Sequence, residues 1–225
     1  NSFYLRHMLN KSSANSPPDK HQVVRDAERL RWKMRIFSPE EKTREIIRAF
    51  FGIGLEGRDR TRITDWRDQA CACEGKPVPP ANLHITLAFI GDIKRTALEQ
   101  IADAAESYFA KNAIGGGTLV LDTVGYWSKP GIFWIGPSQW PQPLTRLSQK
   151  LRHLSCAAGG KGNNRPFQPH VTLHRRCRNP PTAPLYEPNV RLSYTHCTLF
   201  ESHQGKKGVS YHALEQWPLS CSALE

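Results

Sequence analysis

Acidic residues, long apolar runs and organised cysteines are all scarce in this chain, and each scarcity removes a class of protein. No apolar stretch approaches the ~20 residues that cross a bilayer, so no membrane span is expected. Phe3-Tyr4-Leu5 is cut short by Arg6 and His7, too brief for the apolar core of a signal peptide. Cys71, Cys73, Cys156, Cys177, Cys197 and Cys221 are scattered rather than set as a disulfide framework, which points to reduced thiols in a cytoplasmic protein. Cys71-Ala72-Cys73 has no second pair at ligand spacing, so neither a zinc site nor any cofactor is expected. Gly115-Gly116-Gly117 lacks the Lys-Ser/Thr ending of a phosphate-binding P-loop and reads as a turn. Aspartate and glutamate number 20 against 31 lysines and arginines, a formal net charge of +11. That balance favours a polyanionic partner, nucleic acid foremost. From Gly159 to Pro180 there is no acidic residue at all, but there are five basic ones: Lys161, Arg165, Arg175, Arg176 and Arg178.

What the chain does hold is one short phrase written twice. His84-Ile85-Thr86-Leu87 and His170-Val171-Thr172-Leu173 lie 86 residues apart, each in a β-branched, apolar context that reads as a strand. Side chains alternate along a strand, so His and Thr share one face, ~7 Å apart, while Ile85, Leu87, Val171 and Leu173 take the other. Each strand thus buries its aliphatic side and presents an imidazole and a hydroxyl. If the two strands face a common cleft, that cleft holds two histidines and two threonines, a layout suited to acid–base chemistry on a phosphate. Histidine, with an unperturbed pKa of ~6.5, can serve as either acid or base near neutrality. The threonine hydroxyls can donate to phosphoryl oxygens, and Arg175 can add a charge-assisted contact. Phe89 and Phe167 flank the motifs, as core residues or as stacking surfaces for a base.

Around the motifs the chain reads as an α+β protein. Residues 1–22 are polar and read as a disordered tail. Residues 23–47 are charged and helical in pattern, with Ser38-Pro39-Glu40-Glu41 as a helix start. Strands are expected at 48–55, 83–90, 118–124, 132–135, 191–201 and 210–217, beside the second motif strand. Helices are expected at 59–70, with Ile63, Trp66 and Ala70 buried, and at 96–109, capped by Thr96 and Glu99 and burying Leu98, Ile101, Ala105 and Tyr108. A third carries Leu144, Leu147, Leu151 and Leu154 and closes at Gly159. The order predicts two similar lobes, each a small antiparallel sheet backed by helices and each holding one His-x-Thr motif. The domain is bounded at 48–219, leaving 1–47 as an N-terminal extension and 220–225 as a tail. A monomer is expected.

The repeated motif resembles that of the two-histidine (2H) phosphoesterase superfamily, in its branch of RNA 2',3'-cyclic phosphodiesterases and 2'-5' RNA ligases. Phe89-Ile90-Gly91 follows the first motif where that branch has Phe-x-Gly. Phe167-Gln168-Pro169 precedes the second, and Arg175 ends it. Arg48-Ala49-Phe50-Phe51, Phe133-Trp134-Ile135-Gly136 and Leu199-Phe200-Glu201-Ser202 extend the match in the same order. The resemblance implies two pseudo-symmetric lobes, with one motif from each on a central cleft, and metal-independent opening of a terminal 2',3'-cyclic phosphate to a 2'-phosphate. His84 is then the proton donor and His170 the acceptor, and a reversible 2'-5' RNA ligase activity is implied beside it. The residues themselves fix the pair and not which member does which. The implied partner is RNA bearing a cyclic phosphate end, tRNA fragments included. Two other readings stand beside it: the same fold acting on a small cyclic nucleotide or ADP-ribose cyclic phosphate, and an RNA-binding module without turnover. His174, where the branch has a small residue, is expected to crowd the cleft or touch substrate. His196 is expected to be a packed or edge residue of its strand.

Overall fold

The computed structural model of the chain describes residues 45–162, 165–206 and 208–220. The expected tail at 1–22 and all of the extension before residue 45 lie outside them. In chain order the elements are β1 (Ile46–Gly54), α1 (Gly57–Ala70), β2 (Lys76–Pro77), a 3-10 turn (Pro80–Asn82), β3 (His84–Lys94) and α2 (Arg95–Lys111). There follow β4 (Gly117–Leu121), β5 (Thr123–Trp127), β6 (Ile132–Gly136), α3 (Gln142–Ala157), β7 (Val171–Arg175), β8 (Val190–Tyr194), β9 (His196–Gly205) and β10 (Gly208–Pro218). Pairing extends to Ser220, whose amide donates to the Ile114 carbonyl.

The class is α+β, and the main sheet is antiparallel throughout, in the order β10-β9-β1-β3-β7-β6-β5 with β2 also on β7. Its two halves, β10-β9-β1-β3 and β7-β6-β5, meet through one residue pair, Ile85 with Val171. The two motif strands are therefore neighbours at the centre of a single sheet. The halves are not successive in sequence, because the C-terminal hairpin β9–β10 returns to cover the edge of β1. A pleated strand satisfies its ladder only with a neighbour, and alternation alone does not say which neighbour that is.

Helix α2 backs the first half. Its Leu98, Ile101, Ala102 and Ala105 are buried with Phe51 and Ile53, and Glu106 accepts the Trp217 indole N–H at 2.8 Å. Each fully buried Ile, Leu or Phe contributes ~1.5–3 kcal/mol. The expected stripe holds except that Tyr108 is half-buried. The expected Thr96–Glu99 capping box does not form: α2 begins at Arg95 with no side-chain cap. The Arg95 amide is already taken by the Glu45 carbonyl at 3.0 Å, which carries the extended strand straight into the helix. Helix α3 ends as expected. Gly159 (φ +91°) follows its last turn, with its own amide on Cys156 and that of Gly160 on Ser155, a Schellman closure that needs the left-handed conformation glycine allows.

Two expected strands are each divided. The 118–124 strand breaks at Asp122, whose carboxylate holds the Ser138 amide and hydroxyl at 2.6 and 2.7 Å; β4 leaves to pair with β8, and β5 joins β6. The 191–201 strand breaks at Thr195, between β8 in the small sheet and β9 in the large one. The fold also brings two scattered cysteines together, with the Cys73 and Cys177 thiols 3.2 Å apart.

Candidate active site

Ile85 and Val171 are fully buried, so the residues on either side of each emerge on the opposite face. Extending their antiparallel register by one residue in each direction sets His84 beside Thr172 and Thr86 beside His170. A local two-fold through the Ile85–Val171 pair thus relates the motifs and places four functional side chains around one centre.

The imidazoles are held alike. Nδ1 of His84 lies 2.8 Å from the Asn82 carbonyl, and Nδ1 of His170 lies 2.8 Å from the Gln168 carbonyl. A carbonyl only accepts, so each Nδ1 carries the hydrogen and each Nε2 is left for chemistry. In neutral His84, Nε2 then accepts from the Thr86 hydroxyl at 3.1 Å. Aromatic rings close around both. Phe50 and Tyr211 lie 4.7 and 4.8 Å from His84, and Trp127 stands edge-on to His170 at 4.6 Å. Burial drives the His84 imidazole down to about 4, and the positive charges of Arg175 and His170 push the same way. His170 is lowered too, first by burial and then by Arg175. Both rings are therefore neutral at pH 7 in the free protein.

A β-bulge follows each motif. Phe51 faces Ala88 and Gly52 faces Thr86, which leaves Leu87 as an extra residue. Phe133 faces His174 and Trp134 faces Thr172, which leaves Leu173 extra. Each extra residue reverses the alternation. Phe89 and Arg175, five residues beyond their histidines, are thereby returned to the cleft face. His174 is turned away. His174 does not touch the cleft: it is buried on the far side, stacked on Phe133 at 6.1 Å, its Nδ1 without a hydrogen-bond partner among the described residues. Burial lowers its pKa, with the Arg67 charge adding to the effect. His196 is exposed at the start of β9, against Thr195.

The cavity so formed is about 790 Å³ and takes in His84, Thr86, Phe89, Phe167, His170, Thr172 and Arg175, every site residue read from the sequence. It is also lined by residues that reading missed, among them Arg48, Phe50, Trp127, Trp140, Arg152 and Tyr211. Arg48 and Phe50 come from β1, which pairs with β3, and Tyr211 comes from β10, which the returning hairpin sets beyond β9 on the outer side of β1; nothing local marks them. Arg48 covers the Phe89 ring at 4.9 Å and pairs with Asp92 at 3.1 Å. Phe167 meets the edge of Trp140 at 6.5 Å. Among the described residues no three His, Cys, Asp or Glu side chains are grouped to hold a metal ion, and no helix is long and apolar enough to cross a membrane.

Residues 56–202 match the family model of the 2'-5' RNA ligase superfamily. The chain is 34% identical over 180 residues to the RNA 2',3'-cyclic phosphodiesterase of Escherichia coli K12, an alignment that takes in 78% of this chain and 98% of that protein. A relative of the same name from Thermus thermophilus is 26% identical, over 77% of this chain and 90% of its own. Among solved structures, E. coli LigT complexed with 3'-AMP superposes with a TM-score of 0.71 at 32% identity, covering 78% of this chain and 99% of LigT. The arrangement of motifs, sheet and cleft and these likenesses agree, and the chain belongs to the 2'-5' RNA ligase superfamily.

Proposed function

We propose that this protein is an RNA 2',3'-cyclic phosphodiesterase that opens a terminal cyclic phosphate by paired histidine acid–base catalysis. The observation that carries the reading is the pair of imidazoles, each tied through Nδ1 to a carbonyl two residues back and each turning Nε2 to one cavity. The names of the relatives give the substrate class.

In the proposed reaction one imidazole takes a proton from water as the water attacks phosphorus. The other gives a proton to the departing ribose oxygen. Thr86, Thr172 and Arg175 donate to the non-bridging oxygens and so hold the phosphorus in line between the two imidazoles. With His170 as base and His84 as acid, the 3' oxygen leaves and a 2'-phosphate remains. With a ribose 5'-hydroxyl in place of water, the same forward steps give 2'-5' joining, and their reversal cleaves the 2'-5' linkage back to the cyclic phosphate. The acid must be protonated, yet both rings are neutral in the free protein. The entering phosphate anion supplies the charge that stabilises an imidazolium between it and the aromatic wall. Phe89 and Phe167 stack on bases. The protein acts as a monomer in the cytoplasm on RNA ends, tRNA fragments among them, without metal; its catalytic domain is the 48–219 region together with Ile46, Ile47 and Ser220, which pair with it.

Phosphorus NMR of a short RNA ending in a 2',3'-cyclic phosphate tests this directly. Ring opening to a 2'-phosphate, undiminished by EDTA, is expected. A 3'-phosphate would exchange the roles of His84 and His170, and binding without turnover by folded protein would overturn the enzyme reading in favour of an RNA-binding module.

A further inference from the structure

One scissile phosphate carries one negative charge, and Arg175 with two threonines is enough to meet it. The cavity nevertheless presents four arginines, Arg48, Arg152, Arg165 and Arg175, and no aspartate or glutamate lines it. The surplus is not spread evenly. Arg175 belongs to β7 beside His170, whereas Arg48 lies on β1 against Phe89, away from the motif centre. Arg152 reaches in from α3, where its Nη1 donates to the Arg165 carbonyl at 3.2 Å. Upstream of Arg165, the Lys161 amide donates to the Ile90 carbonyl of β3 at 2.8 Å. Phe89 and Phe167, the two rings suited to stacking, line this same arginine-rich stretch.

We infer that Arg48, Arg152 and Arg165 form a second phosphate subsite, which takes the phosphate on the 5' side of the nucleotide bearing the cyclic end. The inference rests on the phosphodiesterase reading of the same cavity and narrows its substrate to species with two phosphates flanking one nucleoside. Guanidinium forks suit a phosphate bidentately. Arg48 keeps its pair with Asp92, but no carboxylate lines the cavity itself, where a phosphate among the cations lowers their mutual repulsion. In RNA that anion is the last internucleotide linkage; in a mononucleotide it is a 5'-phosphate.

The test compares kcat/KM for three substrates: adenosine 2',3'-cyclic phosphate, the same nucleotide with a 5'-phosphate, and the dinucleotide ApA ending in a 2',3'-cyclic phosphate. The dinucleotide should exceed the bare nucleotide by roughly tenfold or more at low salt, the size of one or two charged hydrogen bonds. In the double variant R152Q/R165Q that ratio should fall towards one. A methylphosphonate linkage, which removes the charge without touching the protein, should erase the advantage in the wild type. An equal gain for the 5'-phosphorylated nucleotide would keep the subsite and make a terminal phosphate sufficient. A gain for the dinucleotide alone would assign it to RNA. Equal rates on all three substrates, or an advantage that survives the methylphosphonate, would overturn the subsite while leaving the phosphodiesterase standing. Turnover of none would overturn both.

Discussion

At the scale of single residues, the site depends on how far two imidazoles are pushed from their ordinary titration. Both pKa values lie below 6.5, His84 at about 4. The proposed acid–base mechanism needs one proton on the pair: above both values neither ring is charged, and below both each is. The singly protonated form is most populated between them. The kcat/KM profile, which reports the free enzyme, should therefore peak on the acid side of pH 6.5 and decline as the pH rises. The kcat profile should lie at higher pH, because bound phosphate favours the imidazolium. A kcat/KM optimum above pH 7 would contradict this electrostatic account. Replacing Thr86 or Thr172 with valine keeps the shape and removes a donor. Steady-state kinetics should show kcat/KM reduced roughly tenfold or more, and no loss would assign the threonines to packing.

At the scale of elements, the two bulges decide which side chains the cleft receives. His84, Thr86, His170 and Thr172 were legible because alternation in a short strand puts His and Thr together. Arg175 was legible as one of several basic residues beyond the second motif, and the family resemblance singled it out from Arg176 and Arg178. Plain alternation from His170 points to His174, and the extra Leu173 that reverses it becomes visible only against its partner strand β6. The breaks at Asp122 and Thr195 escaped the sequence for a like reason: the strand-forming pattern continues across them while the pairing changes sheets. Helix faces, governed by local 3.6-residue periodicity, came through nearly intact, but the cap of α2 yielded to the Glu45–Arg95 hydrogen bond. Two adjacent arginines test the bulge. Arg175→Gln should cut kcat/KM roughly tenfold, while Arg176→Gln should change it little, since Arg176 is exposed and is not part of the cavity. Equal losses would mean that the basic stretch acts as diffuse charge. Gly52, opposite Thr86, tests the sheet itself: a Cβ there would come within 2.8 Å of the Ile85 carbonyl oxygen. Gly52→Ala should lower unfolding free energy by about 1–3 kcal/mol in denaturant titrations.

At the scale of the whole molecule, a basic protein of net charge +11 surrounds the proposed catalytic cavity with arginines. Oligonucleotide KM should rise steeply between roughly 50 and 500 mM salt, and that of a mononucleoside cyclic phosphate much less; parallel slopes would remove long RNA as the favoured ligand. The two halves of the sheet each deliver one histidine to a centre that neither half completes alone, and this division of labour is the central claim. Its most direct test is kcat/KM for His84→Ala, His170→Ala and the double variant on an RNA with a 2',3'-cyclic phosphate end. Each single variant should lose about two to four orders of magnitude, with the double little worse than the poorer single, because groups that act as a unit do not add. Near-wild-type activity in either single variant would contradict the paired mechanism.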